Sequence, residues 1–331
     1  MHYKNIILSL LAAWLIVLGI IINKTIKKNN NPLLKIGILQ TASHPALDAA
    51  REGFVDIIKE KLGDNVEFVI NNAQGSIINA HIIAERFHAD ASIAAIYAIA
   101  TPALQAIMSV EKTKPIFIAA VSNPHEIGAI TATTNVCGTT DMIDIPGAVT
   151  AIKKILPGVT SVALIYNPSE ANSVAQVALM EKELLRHSIK PIRVGIVSET
   201  EIPQAIASAL SKADALLAPT DNLVASAMPI ISRLAHEAQK PLIASHNEAV
   251  AQGALMARGV DYYTSGKETG EIALLVLQSG KQPYTLPIRP TRSDTIVINK
   301  HLLDEFGITI PQISDTIIFT PSSHCCDGDP N

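Results

Sequence analysis

Short apolar runs alternate with longer amphipathic segments from Leu33 onward, and this alternation passes through the chain twice. Apolar runs of this length predict buried strands, and the amphipathic segments predict the helices that cover them. A repeated strand, helix, strand order requires parallel strands with helices on both faces of the sheet. The alternation therefore restricts the chain to the α/β class, and its restart near residue 157 predicts two lobes.

The predicted elements follow this rhythm on both sides of Pro157 and Gly158, which end a helix over Ile145 to Leu156. The first series predicts strands at 35–39, 66–70, 94–98 and 115–119, with helices at 45–62, 76–88 and 102–111. The second series predicts strands at 161–167, 191–197, 215–219, 241–245 and 253–257, with helices at 169–187, 202–210 and 223–237. A helix over 266–277 and a strand over 295–299 come last.

The domain limits are placed where the rhythm changes. The first lobe is predicted to contain residues 33–157 with 262–287, and the second to contain 158–261 with 288–310. With 331 residues, of which 48% are apolar, the chain is long enough to bury two cores. Residues 311–331 are polar and rich in Pro, Ser, Asp and Gly, so we expect a disordered tail.

The N-terminal segment, residues 1–32, carries an apolar stretch without charge from Ile6 to Ile22. Its length suits a short membrane span, and lysines flank it on both sides, so charge alone does not set its orientation. A cleavage site of small residues is missing near its end, which predicts an uncleaved signal anchor. A buried globular helix is the alternative, but the stretch has no polar face.

Enzyme chemistry is not supported by any motif of the chain. The sequence contains no phosphate-binding loop, no dinucleotide fingerprint, no HExxH and no GxSxG, so we predict no catalytic residue and no cofactor. His81 and Glu85 share a predicted helix face at i,i+4 spacing, but they are too few for a metal site, and a solvated face is favoured.

The cysteines and the net charge also predict no special chemistry. Cys137 is expected in the core, and the adjacent Cys325 and Cys326 lack the spacing of a zinc site. The net charge of −4 is spread along the chain, which argues against a nucleic-acid partner.

Polar residues cluster at the carboxyl ends of the predicted strands, where an open parallel sheet exposes its ligand crevice. In the first lobe the candidates are Gln74, Thr101, Ser122 and Asn123. Thr101 precedes a proline at a helix start, an N-cap position that favours a carboxylate. Each residue is also an ordinary cap or turn residue. Whether Ser43 or His44 in the first of these loops touches a ligand or shapes the turn stays open.

The second lobe carries acidic and amide side chains at the corresponding edge. The candidates there are Glu170, Asn172, Asp221, Asn222 and Ser245. Glu170 and Asp221 follow two different strands of one sheet, where together they are suited to hold an ammonium group. Donors on one lobe and acids on the other describe a site for a zwitterion. Capping of helix first turns is the alternative role for both acids.

Several spaced segments match a known family. They are GILQTASHPALDAAREGF, NNAQG, AIATPALQA, PIFIAAVSNP, IYNPSEANS, APTDN, GALMARGVDYYTSG and IVINKHLLDEFGITIP. Over residues 33–310 the chain resembles the ABC transporter substrate-binding proteins of the tryptophan- and tyrosine-binding type, which have the type I periplasmic-binding fold. The pattern departs from the family at Asn123, where Asp is frequent, and at residues 256–258.

The resemblance implies capture of a small ligand between two parallel-sheet lobes joined by hinge crossovers. It places ligand contacts at Gln74, Thr101 and Ser122, opposite Glu170, Asn172, Asp221 and Asn222. It also implies an aromatic or apolar amino acid as ligand, delivery to an ABC permease with a separate ATPase, and an extracytoplasmic location. The alternative is a membrane-tethered sensor of the same fold. A neighbouring permease gene favours transport, and a neighbouring kinase or cyclase gene favours sensing.

Overall fold

Two sheets flanked by helices organise the computed structural model, which describes residues 33–131, 133–291, 295–310 and 316–319. The chain passes between the sheets after residues 136–140, after residues 256–260, and again between residues 290 and 296. The α/β prediction with two lobes of mainly parallel strands is confirmed.

The first lobe is built on a six-stranded sheet in which every neighbouring pair is parallel. Its strands are β1 Leu34–Gln40, β2 Val66–Asn72, β3 Ile93–Ile99, β4 Ile116–Ala119, β5 Val136–Thr140 and β11 Arg289–Pro290, in the order β11-β5-β4-β3-β1-β2. Its helices are α1 Pro45–Leu62, α2 Ile77–Ala89, α3 Thr101–Val110 and α10 Tyr262–Ser279. Strand β5 is not predicted from the sequence, because its five residues include Gly138 and two threonines and lack a long apolar run.

The second lobe contains seven strands, and only β10 and β12 pair antiparallel among its described strands. The strands are β6 Ser161–Tyr166, β7 Lys190–Gly195, β8 Ala215–Ala218, β9 Leu242–His246, β10 Met256–Val260, β12 Ile296–Asn299 and β13 Thr316–Phe319, in the order β13-β12-β10-β9-β8-β6-β7. Its helices are α4 Ile145–Ile155, α5 Ala171–Arg186, α6 Ile202–Leu210, α7 Asn222–Ser226, α8 Met228–Glu237, α9 Glu248–Ala251 and α11 Lys300–Glu305. The single helix expected over 223–237 is divided in two, with Pro229 in the first turn of α8.

The lobe limits differ from the expected ones at two points. Helix α4 packs against α5 and β10 of the second lobe, although the limit near residue 157 assigns it to the first. Strand β11 pairs with β5 of the first lobe, although residues 288–310 were expected in the second. A crossover carries no periodic signal, so the pattern locates it only to within one element. The other limits stay predictions.

The expected disordered tail is wrong for Thr316–Phe319, which form β13 beside β12. The four residues are Thr, Ile, Ile and Phe, all strong strand formers, and an open sheet edge was available to them. The rest of the predicted tail lies outside the described residues. The signal anchor predicted for residues 1–32 also lies outside them, and no described helix is long and apolar enough to cross a membrane.

Helices α1 and α10 approach each other at backbone distance in the first lobe. A Cβ atom on Gly266 would lie 1.9 Å from the backbone oxygen of Ala50, and one on Gly53 would lie 2.1 Å from the oxygen of Tyr263. This approach brings Phe54 of α1 onto the sheet, where its ring stacks on Tyr97 at 4.1 Å between centroids. The small residues thereby fix α10, which enters the lobe directly from the crossover, against the core.

We expect Gly266→Ala to lower the free energy of unfolding by about 1–3 kcal/mol, because the two helices must separate to admit one methyl group. At about 2–4 °C per kcal/mol, the loss is measurable as a lower Tm in thermal unfolding followed by circular dichroism. Gly158→Ala is the matched control, since a Cβ there meets no atom within 4 Å. An unchanged Tm for Gly266→Ala contradicts close helix contact.

Candidate functional site

The loops at the carboxyl ends of the two sheets face each other and touch. Nε2 of His44 in the first lobe lies 3.5 Å from Oδ1 of Asn222 in the second. Oγ of Ser122 lies 3.3 Å from Oγ1 of Thr220 across the same boundary. All four residues are buried. The structure is therefore that of a closed pair of lobes.

An outer cleft of about 580 Å³ lies between the lobes. Both lobes line it, and its polar lining includes Ser43, Gln74, Gln105, Asn167, Glu170 and Asn172. The volume falls within the range of small-molecule sites in proteins. We use the name outer cleft for this cavity.

A second, deep compartment of about 20 Å³ lies where the lobes meet. It is lined by His44, Asp141, Asn172, Asp221, His246 and Tyr262, among others. Asn172 and Asn222 line the deep compartment and the outer cleft alike, so these two side chains separate one space from the other.

The predicted residues of the first lobe have different surroundings. Gln74 lines the outer cleft, and its backbone has a positive φ of 54°. Thr101 is not the N-cap that the sequence predicts: helix α3 begins at Thr101 itself, and Ala100 is the N-cap with φ 77°. Ser122 lies at the contact between lobes, whereas Asn123 accepts a 3.4 Å hydrogen bond from the backbone N–H of Glu126 in a turn.

Glu170 and Asn172 of the second lobe lie at the cleft and anchor its loops. Glu170 Oε2 accepts hydrogen bonds from the backbone N–H and the Nδ2 of Asn222, at 3.2 and 2.6 Å. Asn172 Nδ2 donates to the carbonyl oxygen of Thr220 at 2.9 Å. Ser245 is placed differently, because it is buried in β9 and donates to the carbonyl oxygen of Ala218 at 2.9 Å.

Asp221 is the N-cap of α7 and is almost fully engaged by the protein. Its Oδ1 accepts from the backbone N–H of Val224 at 2.9 Å, and its Oδ2 accepts from the backbone N–H of Asn167 and from Ser173 Oγ, both at 2.6 Å. The capping alternative is therefore present in the structure. The ammonium-binding role expected for Asp221 stays a prediction.

The two acids of the second lobe are electrostatically coupled. Burial raises the pKa of Glu170, and the nearby Asp221 carboxylate raises it further. Burial likewise raises the pKa of Asp221. Among the described residues that line the outer cleft and the deep compartment there is no Lys or Arg. The cleft therefore favours a ligand that brings positive charge.

Asp141 is a functional candidate that the sequence pattern does not reveal, and the role of His44 stays undecided. Asp141 lies just beyond β5 and is 2% exposed. Its Oδ2 accepts a hydrogen bond of 2.6 Å from the hydroxyl of Tyr262, and its Oδ1 has no partner among the described residues. The signal that identifies Asp141 is its position at a strand's carboxyl end, and this signal was lost because residues 136–140 were not assigned to a strand.

The remaining candidate groups are placed away from the deep compartment. His81 of the predicted helix face lines the outer cleft, and its Nδ1 lies 3.5 Å from Ser109 Oγ. The described chain holds no cluster of three His, Cys, Asp or Glu side chains suited to a metal ion. Cys137 is fully buried, which confirms its assignment to the core.

The chain is similar to known substrate-binding proteins over most of its length. A family model described as ABC transporter substrate binding protein matches residues 35–324. A tyrosine-binding protein from Clostridioides difficile (strain R20291) is 36% identical over 288 residues, which are 85% of this chain and 83% of that protein.

Two solved structures are similar over nearly their whole length. An ABC domain from Streptococcus pneumonia in complex with L-Trp has a TM-score of 0.80 at 29% identity and covers 86% of this chain and 99% of its own. A substrate-binding protein with adhesive properties from Clostridium difficile, in a ligand-free, open structure, has a TM-score of 0.66 at 35% identity and covers 87% and 100%. The lobe arrangement described above is thus closer to the L-Trp complex, although the sequence is closer to the open protein.

Proposed function

This chain belongs to the ABC transporter substrate-binding protein family and has the type I periplasmic-binding fold, and on that premise we propose that it captures an amino acid for import. The amino acid is aromatic or apolar and is held between two lobes that close over it. An ABC permease with a separate ATPase then receives it. The chain acts as a receptor and not as an enzyme.

The observation that carries this proposal is the divided cleft. Each lobe contributes part of the lining, so a bound ligand contacts both lobes only when they are closed. A ligand that binds the closed form more tightly than the open form shifts the population toward closure. The similarity to a tyrosine-binding protein and to an L-Trp complex supports an aromatic amino acid as ligand.

The predicted contacts divide by chemistry in a way that suits a zwitterion. On the first lobe, Gln74 lines the outer cleft and offers a neutral donor for a carboxylate, whereas the contacts expected from Thr101 and Ser122, which line neither space, stay predictions. On the second, Glu170 and Asp221 provide the negative potential that favours an ammonium group. The lining supplies no Lys or Arg in its described part, so the carboxylate must be held by neutral donors.

The location follows from the same role. We infer that residues 1–32 anchor the chain in the cytoplasmic membrane and that the lobes lie outside it, within reach of the permease. The apolar stretch from Ile6 to Ile22 supports this inference.

A ligand screen on the full-length chain tests the proposal. We expect L-tyrosine or L-tryptophan to raise the Tm and to give a saturable calorimetric signal, because a ligand at about 100 times its Kd adds about 2.7 kcal/mol of stability. The D-enantiomers serve as matched controls. If none of the twenty amino acids shifts the Tm, the proposed ligand class is wrong.

A further inference from the structure

We propose that the deep compartment is the subsite for the ligand's ammonium group and that Asp141 is the carboxylate that holds it. This inference rests on the proposed function, because it orients the same ligand in the same cleft. It assigns the ammonium to a residue at the end of β5 in the first lobe, and not to the acids of the second lobe.

The first support is the state of the Asp141 carboxylate. It is almost completely buried, and its Oδ2 accepts a hydrogen bond of 2.6 Å from the hydroxyl of Tyr262. Oδ1 makes no hydrogen bond of normal length to a described residue, although the Ser122 hydroxyl interacts with the carboxyl group and lowers its pKa, and Asp141 lines the deep compartment. A buried carboxylate oxygen without a donor is unfavourable, so a donor supplied by a ligand stabilises this arrangement.

A second acceptor lines the deep compartment from the opposite lobe. Asn172 Oδ1 is also buried without a partner in the described chain. The donation of Asn172 Nδ2 to the carbonyl oxygen of Thr220 fixes which end of the amide is the acceptor. An ammonium group has three N–H donors, so it can bond to both oxygens at once and thereby link the lobes.

The size of the compartment selects the ammonium over the other parts of an amino acid. A volume of about 20 Å³ accepts a group of about the size of one water molecule, but neither a carboxylate nor an aromatic ring. Asn172 lines both spaces, so a ligand with its ammonium in the deep compartment extends past Asn172 into the outer cleft. The outer cleft then holds the carboxylate and the side chain.

The competing acids are less suited, because protein donors already occupy them. Asp221 accepts three hydrogen bonds of 2.9 Å or less from Val224, Asn167 and Ser173. Glu170 accepts from Asn222 at 2.6 Å. Binding an ammonium at either acid would compete with these bonds, whereas Asp141 Oδ1 makes no hydrogen bond of normal length within the described part of the chain.

The charge state of Asp141 gives the subsite a pH dependence. Burial raises the pKa of Asp141, so the ligand-free protein retains a proton there to a higher pH than an exposed aspartate does. Ammonium binding requires the ionised form, and affinity should therefore rise with pH up to that pKa. The titratable groups that line the compartment or lie next to it are His44, Asp221, His246, Glu248 and Tyr262.

Calorimetry on the full-length chain tests the subsite by pairing a variant with ligand analogues. The ligands are L-tyrosine, L-tryptophan, their amines tyramine and tryptamine, and the analogues that lack the amino group. We expect Asp141→Asn to weaken binding of the amino acids and amines by roughly 10- to 100-fold and to leave the deaminated analogues unchanged. Asp64→Asn, which makes the same change at an exposed position that lines neither space, is the matched control and should alter neither series.

The outcomes separate this inference from the proposed function. If the wild type binds amino acids and Asp141→Asn binds them equally well, the subsite is wrong and the proposed function stands. If the wild type binds no amino acid but binds amines in an Asp141-dependent way, the proposed function fails and the subsite stands. If Asp141→Asn fails to fold, Asn172→Ala is measured in its place. An equal loss of affinity for the amino acids and for their deaminated analogues then overturns the subsite.

Discussion

Ser122→Phe is expected to hold the lobes apart and to weaken ligand binding by about 100-fold or more. Ser122 is 7% exposed, and its Oγ lies 3.3 Å from Oγ1 of Thr220 in the other lobe. The contact leaves no room for an aromatic ring in the closed form, whereas the ring enters solvent when the lobes separate. If the closed population falls to about 1%, the apparent Kd rises by the inverse of that fraction.

Calorimetry measures the affinity, and small-angle X-ray scattering measures the separation of the lobes with and without ligand. We expect a larger radius of gyration for Ser122→Phe and no compaction on adding the ligand. The control is Ser208→Phe, which adds the same ring at an exposed position of α6. Compaction and wild-type affinity in Ser122→Phe contradict the closed contact described here. Because Ser122 lies at the contact between the lobes and is not a member of the hydrophobic core, the Tm should change little.

The fold class could be predicted from the sequence because the hydrophobic periodicity of a strand or a helix is set by residues close together in the chain. The runs of β1, β3 and β6 are apolar and largely buried, so their pattern survives in the linear chain. What the pattern does not carry is which sheet a segment joins. Helix α4 and strand β11 were assigned to the wrong lobes because their partners, α5 and β5, are chosen by tertiary packing.

Part of the candidate site could also be predicted from the sequence. Strand ends are local features, so Glu170, Asn172 and Gln74 were found at the cleft. The burial of a side chain and its hydrogen bonds depend instead on residues that are distant in the sequence. The sequence could therefore not show that Asp221 is engaged by three protein donors, or that Oδ1 of Asp141 makes no hydrogen bond of normal length to a described residue.

Those hydrogen bonds make Asp221 a stabilising residue of the second lobe, with an opposing electrostatic effect. Removing its carboxylate leaves three donors, from Val224, Asn167 and Ser173, without an acceptor. Each buried unpaired donor costs about 1–3 kcal/mol, and loss of an N-cap typically costs about 1 kcal/mol. Relief of the repulsion between Asp221 and Glu170 acts in the other direction. The repulsion involves one neighbouring carboxylate, whereas three hydrogen bonds are lost. We therefore expect the loss of the hydrogen bonds to determine the net change in the free energy of unfolding.

Asp221→Ala is therefore expected to lower the free energy of unfolding by about 3–5 kcal/mol at pH 7, measured by denaturant unfolding. Asp64→Ala, at an exposed position, is the control and should change the free energy of unfolding by less than about 0.5 kcal/mol.

The pH dependence of the free energy of unfolding provides a second readout. The pKa values of Glu170 and Asp221 are raised in the folded protein, so the pair binds more protons there than in the unfolded chain, and its contribution to stability is lost as the pH rises. Asp221→Ala removes one of these protons and the repulsion that raises the pKa of Glu170, so its stability should fall less steeply between pH 5 and 7. A variant as stable as the wild type with an unchanged pH slope shows that Asp221 is not engaged in this network.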